Sequence, residues 1–111
     1  MKYIDRYFSR REAKSRRNYE IEDSIYTELE GLTKIYDAST GDLINAAIRF
    51  LVETEDIANY VKDPGEITVT HTIMVKQSNL IGLEELKAKY DISIYKLVNI
   101  AIRNFLRDSK E

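Results

Sequence analysis

The 111-residue chain contains no cysteine, one histidine, one proline and four glycines. Without cysteine there is neither a disulfide framework nor a thiolate metal site, and an intracellular setting fits this composition. The only histidine, His71, has no second histidine or cysteine with which to complete a transition-metal site. We therefore expect no metal and no cofactor.

Signatures of catalysis are also missing. The sequence has no glycine-rich phosphate-binding loop, and the only general base of the common kind is His71. Paired acids such as Glu84 and Glu85 are neighbours on a predicted helix, where adjacent side chains do not face each other. We expect that the protein is not an enzyme.

No apolar run approaches the roughly 18 residues of a membrane span, and the N-terminus lacks the apolar core of a secretion signal. We therefore expect a cytoplasmic protein with no membrane partner.

Charge is unevenly distributed along the chain. Residues 1–17 carry a net charge of +5, which leaves −7 for residues 18–111 out of the total of −2. A basic arm on an acidic body is typical of chains that meet a polyanion through a tail, although a merely solvated N-terminus would have the same composition.

The strongest pattern is an internal repeat. When the sequence is shifted by 54 positions, residues 18–56 align with residues 72–110 without a gap, and 12 of the 39 pairs are identical. The identical pairs are Ser24/Ser78, Leu29/Leu83, Glu30/Glu84, Leu32/Leu86, Tyr36/Tyr90, Asp37/Asp91, Ser39/Ser93, Leu43/Leu97, Asn45/Asn99, Ala47/Ala101, Ile48/Ile102 and Arg49/Arg103. Such a repeat indicates one supersecondary unit used twice, and two copies favour a closed pair over a solenoid.

Each copy reads as strand, helix, helix. Tyr19 and Ile21 alternate with polar residues, and in the second copy Ile67, Val69, His71, Ile73 and Val75 share one predicted strand face. Ser24 and Ser78 are the predicted N-caps of the first helix in each copy. The apolar stripe of that helix consists of Tyr26, Leu29, Leu32 and Tyr36 in the first copy, and of Leu80, Leu83, Leu86 and Tyr90 in the second. Ser39 and Ser93 are predicted N-caps of second helices, whose buried faces are Leu43, Ile44, Ala47, Ile48 and Leu51, and Leu97, Val98, Ala101, Ile102 and Phe105.

The predicted organisation is a basic arm over residues 1–16, a first unit over 17–56, a linker over 57–67 and a second unit over 68–111. The linker holds the turn signal Asp63-Pro64-Gly65. Pairing between the two copies would satisfy the backbone of two otherwise lone strands. We therefore predict a mostly α fold with a two-stranded antiparallel ribbon, built as an intramolecular pseudo-dimer.

The whole unit resembles the ribbon-helix-helix superfamily of the Arc and MetJ repressors. The second copy carries the resemblance best, through Thr72-Ile73-Met74-Val75, the stripe of Leu80, Leu83 and Leu86, the break Asp91-Ile92-Ser93, and Leu97-Val98 followed by Ala101-Ile102. The resemblance covers about 85% of the chain, excluding the arm. It implies a ribbon that enters the DNA major groove, with the N-termini of the second helices near phosphates.

The predicted strand faces and this resemblance together nominate contact residues. The candidates for base contacts are Arg16, Asn18, Glu20, Thr70, Thr72 and Met74. The candidates for phosphate contacts are Lys2, Arg6, Arg10, Arg11, Lys14, Arg17, Ser39, Thr40, Ser93 and Lys96. Serine and lysine at such positions also serve as plain caps and solvated charges, and the ribbon face could equally be solvated or meet a protein.

Other polar residues favour structural roles. His71 is expected to be a partly buried histidine on the core side of its strand. Asn45 and Asn99, with Arg49 and Arg103, recur at matching sites of the second helices, and we predict that they bond across the interface between the copies.

The expected function is sequence-specific binding of double-stranded DNA, as a transcriptional repressor or as a DNA-processing accessory factor of a mobile element, with possible self-association on adjacent sites. Glu20 and the acidic body support a rival, a protein-binding module of antitoxin-like or assembly type without DNA contacts. A third alternative is binding of the arm to an anionic membrane surface.

Overall fold

The computed structural model describes residues 12–57 and 63–110, which are mostly helical and contain one two-stranded antiparallel sheet. The elements in chain order are β1 (Lys14–Glu22), α1 (Asp23–Gly31), α2 (Thr33–Tyr36), α3 (Thr40–Thr54), β2 (Thr68–Lys76), α4 (Gln77–Tyr90) and α5 (Ile94–Ser109). In these two ranges no helix has both the length and the apolar character needed to cross a bilayer.

The two strands come from the two copies of the repeat, as predicted. They pair antiparallel along nine rungs, and the central rung places Asn18 opposite Thr72. These two residues are 54 positions apart, so repeat-equivalent positions face each other at the middle of the ribbon. Each rung on one side of the centre consequently has an equivalent rung on the other side.

The strand ends differ from the sequence prediction. β1 begins at Lys14, so it overlaps the predicted arm of residues 1–16 by three residues, because the apolar side chains of β2 extend as far as Val75, opposite Ser15. β2 begins at Thr68, and Ile67 was wrongly placed on the strand's core face, since it precedes the strand and is 69% exposed. Val69, at the outer end of the same face, is 40% exposed.

The core lies between one face of the ribbon and the helices. Tyr19, Ile21, Ile73 and Val75 are buried there, which confirms the predicted facing of the strands. The predicted faces of α3 and α5 are buried as well, with only Phe105 partly exposed. The first-helix stripes are buried in their middle, whereas Tyr36 and Tyr90 at their ends are exposed.

The first helix of copy one is divided where that of copy two is continuous. α1 ends at Gly31, and the hydroxyl of Thr33 donates to the carbonyl of Glu30 at 2.7 Å. Glycine is a poor helix former, and a threonine hydroxyl that bonds a preceding carbonyl competes with the helical pattern. Copy two has Glu85 and Lys87 at the equivalent positions, and α4 runs through them.

The second helices begin as predicted. The Ser39 hydroxyl accepts from the Asp42 amide at 3.0 Å in a capping box, and the Ser93 hydroxyl accepts from the Lys96 amide at 3.4 Å. The breaks that precede them are also confirmed, since Asp37 and Asp91 adopt left-handed backbone with φ of 51° and 54°.

The first helices begin differently, so the prediction of Ser24 and Ser78 as N-caps was wrong. Both serines lie one residue inside their helices. The backbone amide and hydroxyl of Ser24 donate to Glu66 Oε1 at 3.0 and 2.7 Å, and the Ser78 amide donates to Glu12 Oε1. Glu12 and Glu66 are themselves 54 residues apart. Each copy therefore caps the first helix of the other copy with a carboxylate that precedes its own strand.

Candidate nucleic-acid interface

The outer face of the ribbon carries all six candidates for base contacts. They form three alternate rungs, which follow one another on this face: Arg16 with Met74, Asn18 with Thr72, and Glu20 with Thr70. All six are exposed, and Met74 is 46% exposed. Because side chains alternate between the two faces of a strand, residues two apart line one surface. The predicted grouping of these residues on one exposed face is confirmed, whereas their contact with bases stays a prediction.

The central rung has its side chains bonded to each other. The Thr72 hydroxyl donates to Asn18 Oδ1 at 2.8 Å. A carboxamide oxygen has two lone pairs and its nitrogen has two hydrogens, so this bond leaves Asn18 able to accept once more and to donate twice. That is the pattern needed for a bidentate contact with adenine N6 and N7.

The two ends of this face differ in charge. At one end Lys14 lies opposite Lys76, next to the rung that contains Arg16, and all three cations are exposed. At the other end the exposed anion is Glu20, because Glu22, which lies beyond it opposite Thr68, is buried. Lys76 was not among the sequence candidates, although its position two residues beyond Met74 on the same strand face could have identified it.

The N-terminus of α3 lies beside the cationic end of the ribbon. Ser39 and Asp42 line a groove of about 290 Å³ together with Lys14, Thr72 and Met74. Hydrogen bonds from Ser39 hold the pKa of Asp42 below its usual range, with smaller contributions from the charges of Lys14 and Lys76. A carboxylate therefore already occupies the position where a phosphate would approach this helix start.

The equivalent start of α5 has the opposite charge. Lys96 takes the place of Asp42 in the repeat, and both Ser93 and Lys96 are exposed. A cation in the first turn adds to the attraction that a helix N-terminus exerts on anions. Of the two second helices, α5 thus has the N-terminus better suited to a phosphate. Thr40, at the start of α3, is partly buried.

Searches against protein-family models, curated proteins and solved structures found no match to this chain.

Arg17 lies on the other side of the ribbon from the candidate base contacts. It lines a groove of about 640 Å³ with Tyr19, Leu80 and Glu84. The reason is strand alternation, which directs odd-numbered β1 residues toward the helices. Arg17 is therefore not grouped with the cations of the outer face. The arm candidates Lys2, Arg6, Arg10 and Arg11 lie outside the described residues.

Two buried asparagines hold the ribbon's outer edges, as the sequence predicted. Asn99 is fully buried, donates to the Glu20 carbonyl at 2.9 Å and accepts from the Glu22 amide at 3.0 Å. Asn45 makes the equivalent bonds to the Met74 carbonyl and the Lys76 amide, both at 2.9 Å. Each asparagine belongs to one copy and bonds the strand of the other.

The arginines that follow these asparagines behave differently from each other. Arg103 donates to Glu22 across the copies at 2.6 Å, and Glu22 is only 1% exposed. Arg49 bonds Glu53 of its own helix at 2.9 Å, so the predicted bond between copies is wrong for this residue. The strand residue equivalent to Glu22 is Lys76, which cannot pair with a guanidinium.

His71 has the structural surroundings that were predicted. It is partly buried on the core side of β2, and its ring stacks on Tyr26 with centroids 3.6 Å apart and planes 7° apart. The repeat-equivalent pair is Arg17 with Leu80, which line the 640 Å³ groove. On the inner face of the ribbon, an aromatic stack thus occupies one of two repeat-equivalent positions, and a groove lies at the other.

Proposed function

We propose that the protein is a tandem ribbon-helix-helix pseudo-dimer that binds double-stranded DNA sequence-specifically, with its two-stranded ribbon in the major groove. The observation that carries this proposal is the outer ribbon face. Arg16, Asn18, Thr70 and Thr72 are hydrogen-bonding side chains on neighbouring rungs, exposed to solvent on one surface. Two paired strands lie about 4.8 Å apart, which suits a major groove about 12 Å wide.

The pairing of the two copies supports the pseudo-dimer. The asparagine bonds to the strands recur at positions 54 apart, and so do the capping contacts of Glu12 and Glu66. The backbone bonds from Asp23 to the Ile67 carbonyl and from Gln77 to the Ala13 carbonyl follow the same spacing, at 2.8 and 2.9 Å. One chain would thereby supply both strands that a dimer otherwise assembles from two.

In the cell this activity would serve transcriptional repression, with an accessory role in DNA processing on a mobile element as the second use. The described residues that would anchor the phosphates are Lys14, Lys76 and the start of α5 with Ser93 and Lys96. The basic arm would add further phosphate contacts, since neutralised phosphates supply a large share of DNA affinity.

The proposal is tested by measuring binding to duplex DNA across a salt series. Each phosphate contact contributes about −0.9 to the slope of log K against log salt concentration. We expect Lys14→Gln and Lys76→Gln each to remove one phosphate contact and so to make the slope shallower by about 0.9. Lys87→Gln is the matched control, because Lys87 is exposed and lies in α4, eleven residues beyond Lys76 at the end of β2.

An affinity that is independent of salt, or one in which the Lys87 variant loses as much as the ribbon variants, would refute the proposal. The first result would favour the rival function, recognition of a protein. Two observations support that rival. The carboxylate of Glu20 is repelled by phosphates, and the helices expose large apolar side chains, with Ile35 73% and Ile81 52% exposed.

A further inference from the structure

We infer that the ribbon recognises a non-palindromic DNA site, read in one orientation, with Arg16 on a guanine of one half and Glu20 on a cytosine of the other half. This inference rests on the proposed function. It follows from a mismatch between the symmetry of the ribbon's backbone contacts and the asymmetry of its outer side chains.

The backbone scaffold is two-fold. The centre of the ribbon is the rung of Asn18 with Thr72, and the bonds from Asn45 and Asn99 hold the two strand edges at equivalent positions. A duplex in the groove would therefore meet two halves of nearly the same shape. Shape alone would favour an inverted repeat.

The outer side chains break this symmetry on either side of the centre. The two-fold relation exchanges the rung of Arg16 and Met74 with the rung of Thr70 and Glu20, so arginine corresponds to threonine and methionine to glutamate. The difference continues outward. The exposed cations Lys14 and Lys76 follow at one end, whereas the equivalent positions at the other end are Thr68 and Glu22, and Glu22 is buried and paired with Arg103.

These side chains select different bases. Arginine donates two hydrogen bonds to guanine O6 and N7, and methionine offers an apolar contact to a thymine methyl group. Glutamate accepts from the amino group of cytosine N4. If the protein turned end for end on its site, Thr70 would take the place of Arg16 at the guanine and Met74 the place of Glu20 at the cytosine. The guanine would lose its bidentate donor, and the amino group of cytosine N4 would lose its acceptor. One correct bidentate contact corresponds to roughly 5- to 150-fold in affinity, so one orientation dominates.

The test is selection from random duplexes with the full chain, followed by affinity measurements on the selected site. We expect a non-palindromic consensus. Two palindromes are then built, each from one half of that consensus, and the wild-type protein should bind both at least about 5-fold more weakly than the selected site.

A symmetrised variant provides the reciprocal test. Glu20→Met together with Thr70→Arg places the residues of the Arg16 end on both sides of the centre, and all the changed side chains are exposed. This double variant should select a palindrome built from the Arg16 half. Thr72→Asn is the control, since it equalises only the central rung and should leave the consensus non-palindromic. A cooperative thermal unfolding transition is measured for each variant to show that it is folded.

The outcomes separate the two claims. A palindromic consensus for the wild-type protein overturns the inference and leaves DNA binding intact. A symmetrised variant that keeps the wild-type consensus also overturns it, because the asymmetry would then lie outside these rungs. If no duplex is enriched and no salt-dependent binding is measured, the proposed function fails and the inference fails with it.

Discussion

The ion pair between Glu22 and Arg103 joins the two copies at a buried position, and its removal should destabilise the protein strongly. The Glu22 side chain is 2% exposed and that of Arg103 is 34% exposed. Within the described residues Glu22 Oε2 has no hydrogen-bond partner, so Arg103 is the main compensation for a buried carboxylate. Breaking a buried pair by removing one partner costs about 3–5 kcal/mol. We expect Arg103→Met to lower the free energy of unfolding by that amount.

The repeat supplies the matched control. Arg49 is the equivalent of Arg103, but its pair with Glu53 has side-chain exposures of 76% and 61%. Such surface pairs contribute about 0.3–0.5 kcal/mol, so Arg49→Met should have almost no effect. Adding Glu22→Gln to Arg103→Met should restore much of the loss, because the uncompensated charge is then gone.

The assay is urea unfolding followed by circular dichroism, with the slope of the transition compared among variants. A loss of 3 kcal/mol would also lower the melting temperature by roughly 12–24 °C in a domain of this size. If Arg103→Met and Arg49→Met lowered the free energy of unfolding equally, the claim that Arg103 compensates for the burial of the Glu22 carboxylate would be refuted.

Three further predictions concern the same scaffold. Asn99→Leu leaves the buried Glu22 amide and the partly buried Glu20 carbonyl without their side-chain partner and should cost about 1–3 kcal/mol for the amide, with a smaller loss for the carbonyl. The DNA affinity of the folded fraction should stay unchanged, and selective loss of binding in a fully folded variant would contradict this. Gly82→Ala should destabilise by about 1–3 kcal/mol, because its new Cβ would lie 2.6 Å from a Val52 methyl, whereas Gly31→Ala, with open space, should be neutral or stabilising in the same urea assay. Because the pKa of Asp42 is lowered in the folded protein, its contribution to stability is present above the pKa it has in the unfolded chain and is lost as pH falls through the folded value. The unfolding midpoint of Asp42→Asn should therefore decline less in acid than that of the wild-type protein.

The candidate site could be predicted from sequence because strand alternation is a local rule. Once Tyr19 and Ile73 were assigned to the core, the outward direction of Asn18 and Thr72 followed. The register was not predicted, because the repeat requires an equivalent pair at the centre of the ribbon but does not determine that the pair is Asn18 with Thr72.

The caps of the first helices could not be predicted in the same way. Ser24 has the residue type of an N-cap, but its amide is bonded by Glu66, which is 42 residues away in the chain. Only the packing of one copy on the other brings that carboxylate to the helix start. Local propensity identifies Ser24 as a residue suited to an N-cap, but it cannot identify a partner that tertiary structure supplies.

The two recurring arginines show the limit of the repeat itself. Arg49 and Arg103 are identical and lie at identical positions of their helices, yet only Arg103 crosses between the copies. What decides is the residue opposite, Lys76 in one case and Glu22 in the other. A match between the copies predicts where a side chain sits, while its partner depends on positions that have diverged.

The rungs of the ribbon join residues 46 to 62 positions apart along the chain. At a translation rate of about 5–20 residues per second, β1 leaves the ribosome roughly 3–11 s before the strand it pairs with. Through that interval its backbone amides and carbonyls have no neighbouring strand, which makes the nascent chain a template for pairing with other molecules. Loop closure over this distance also places ribbon formation late, after the local helices, in the refolding of the complete protein.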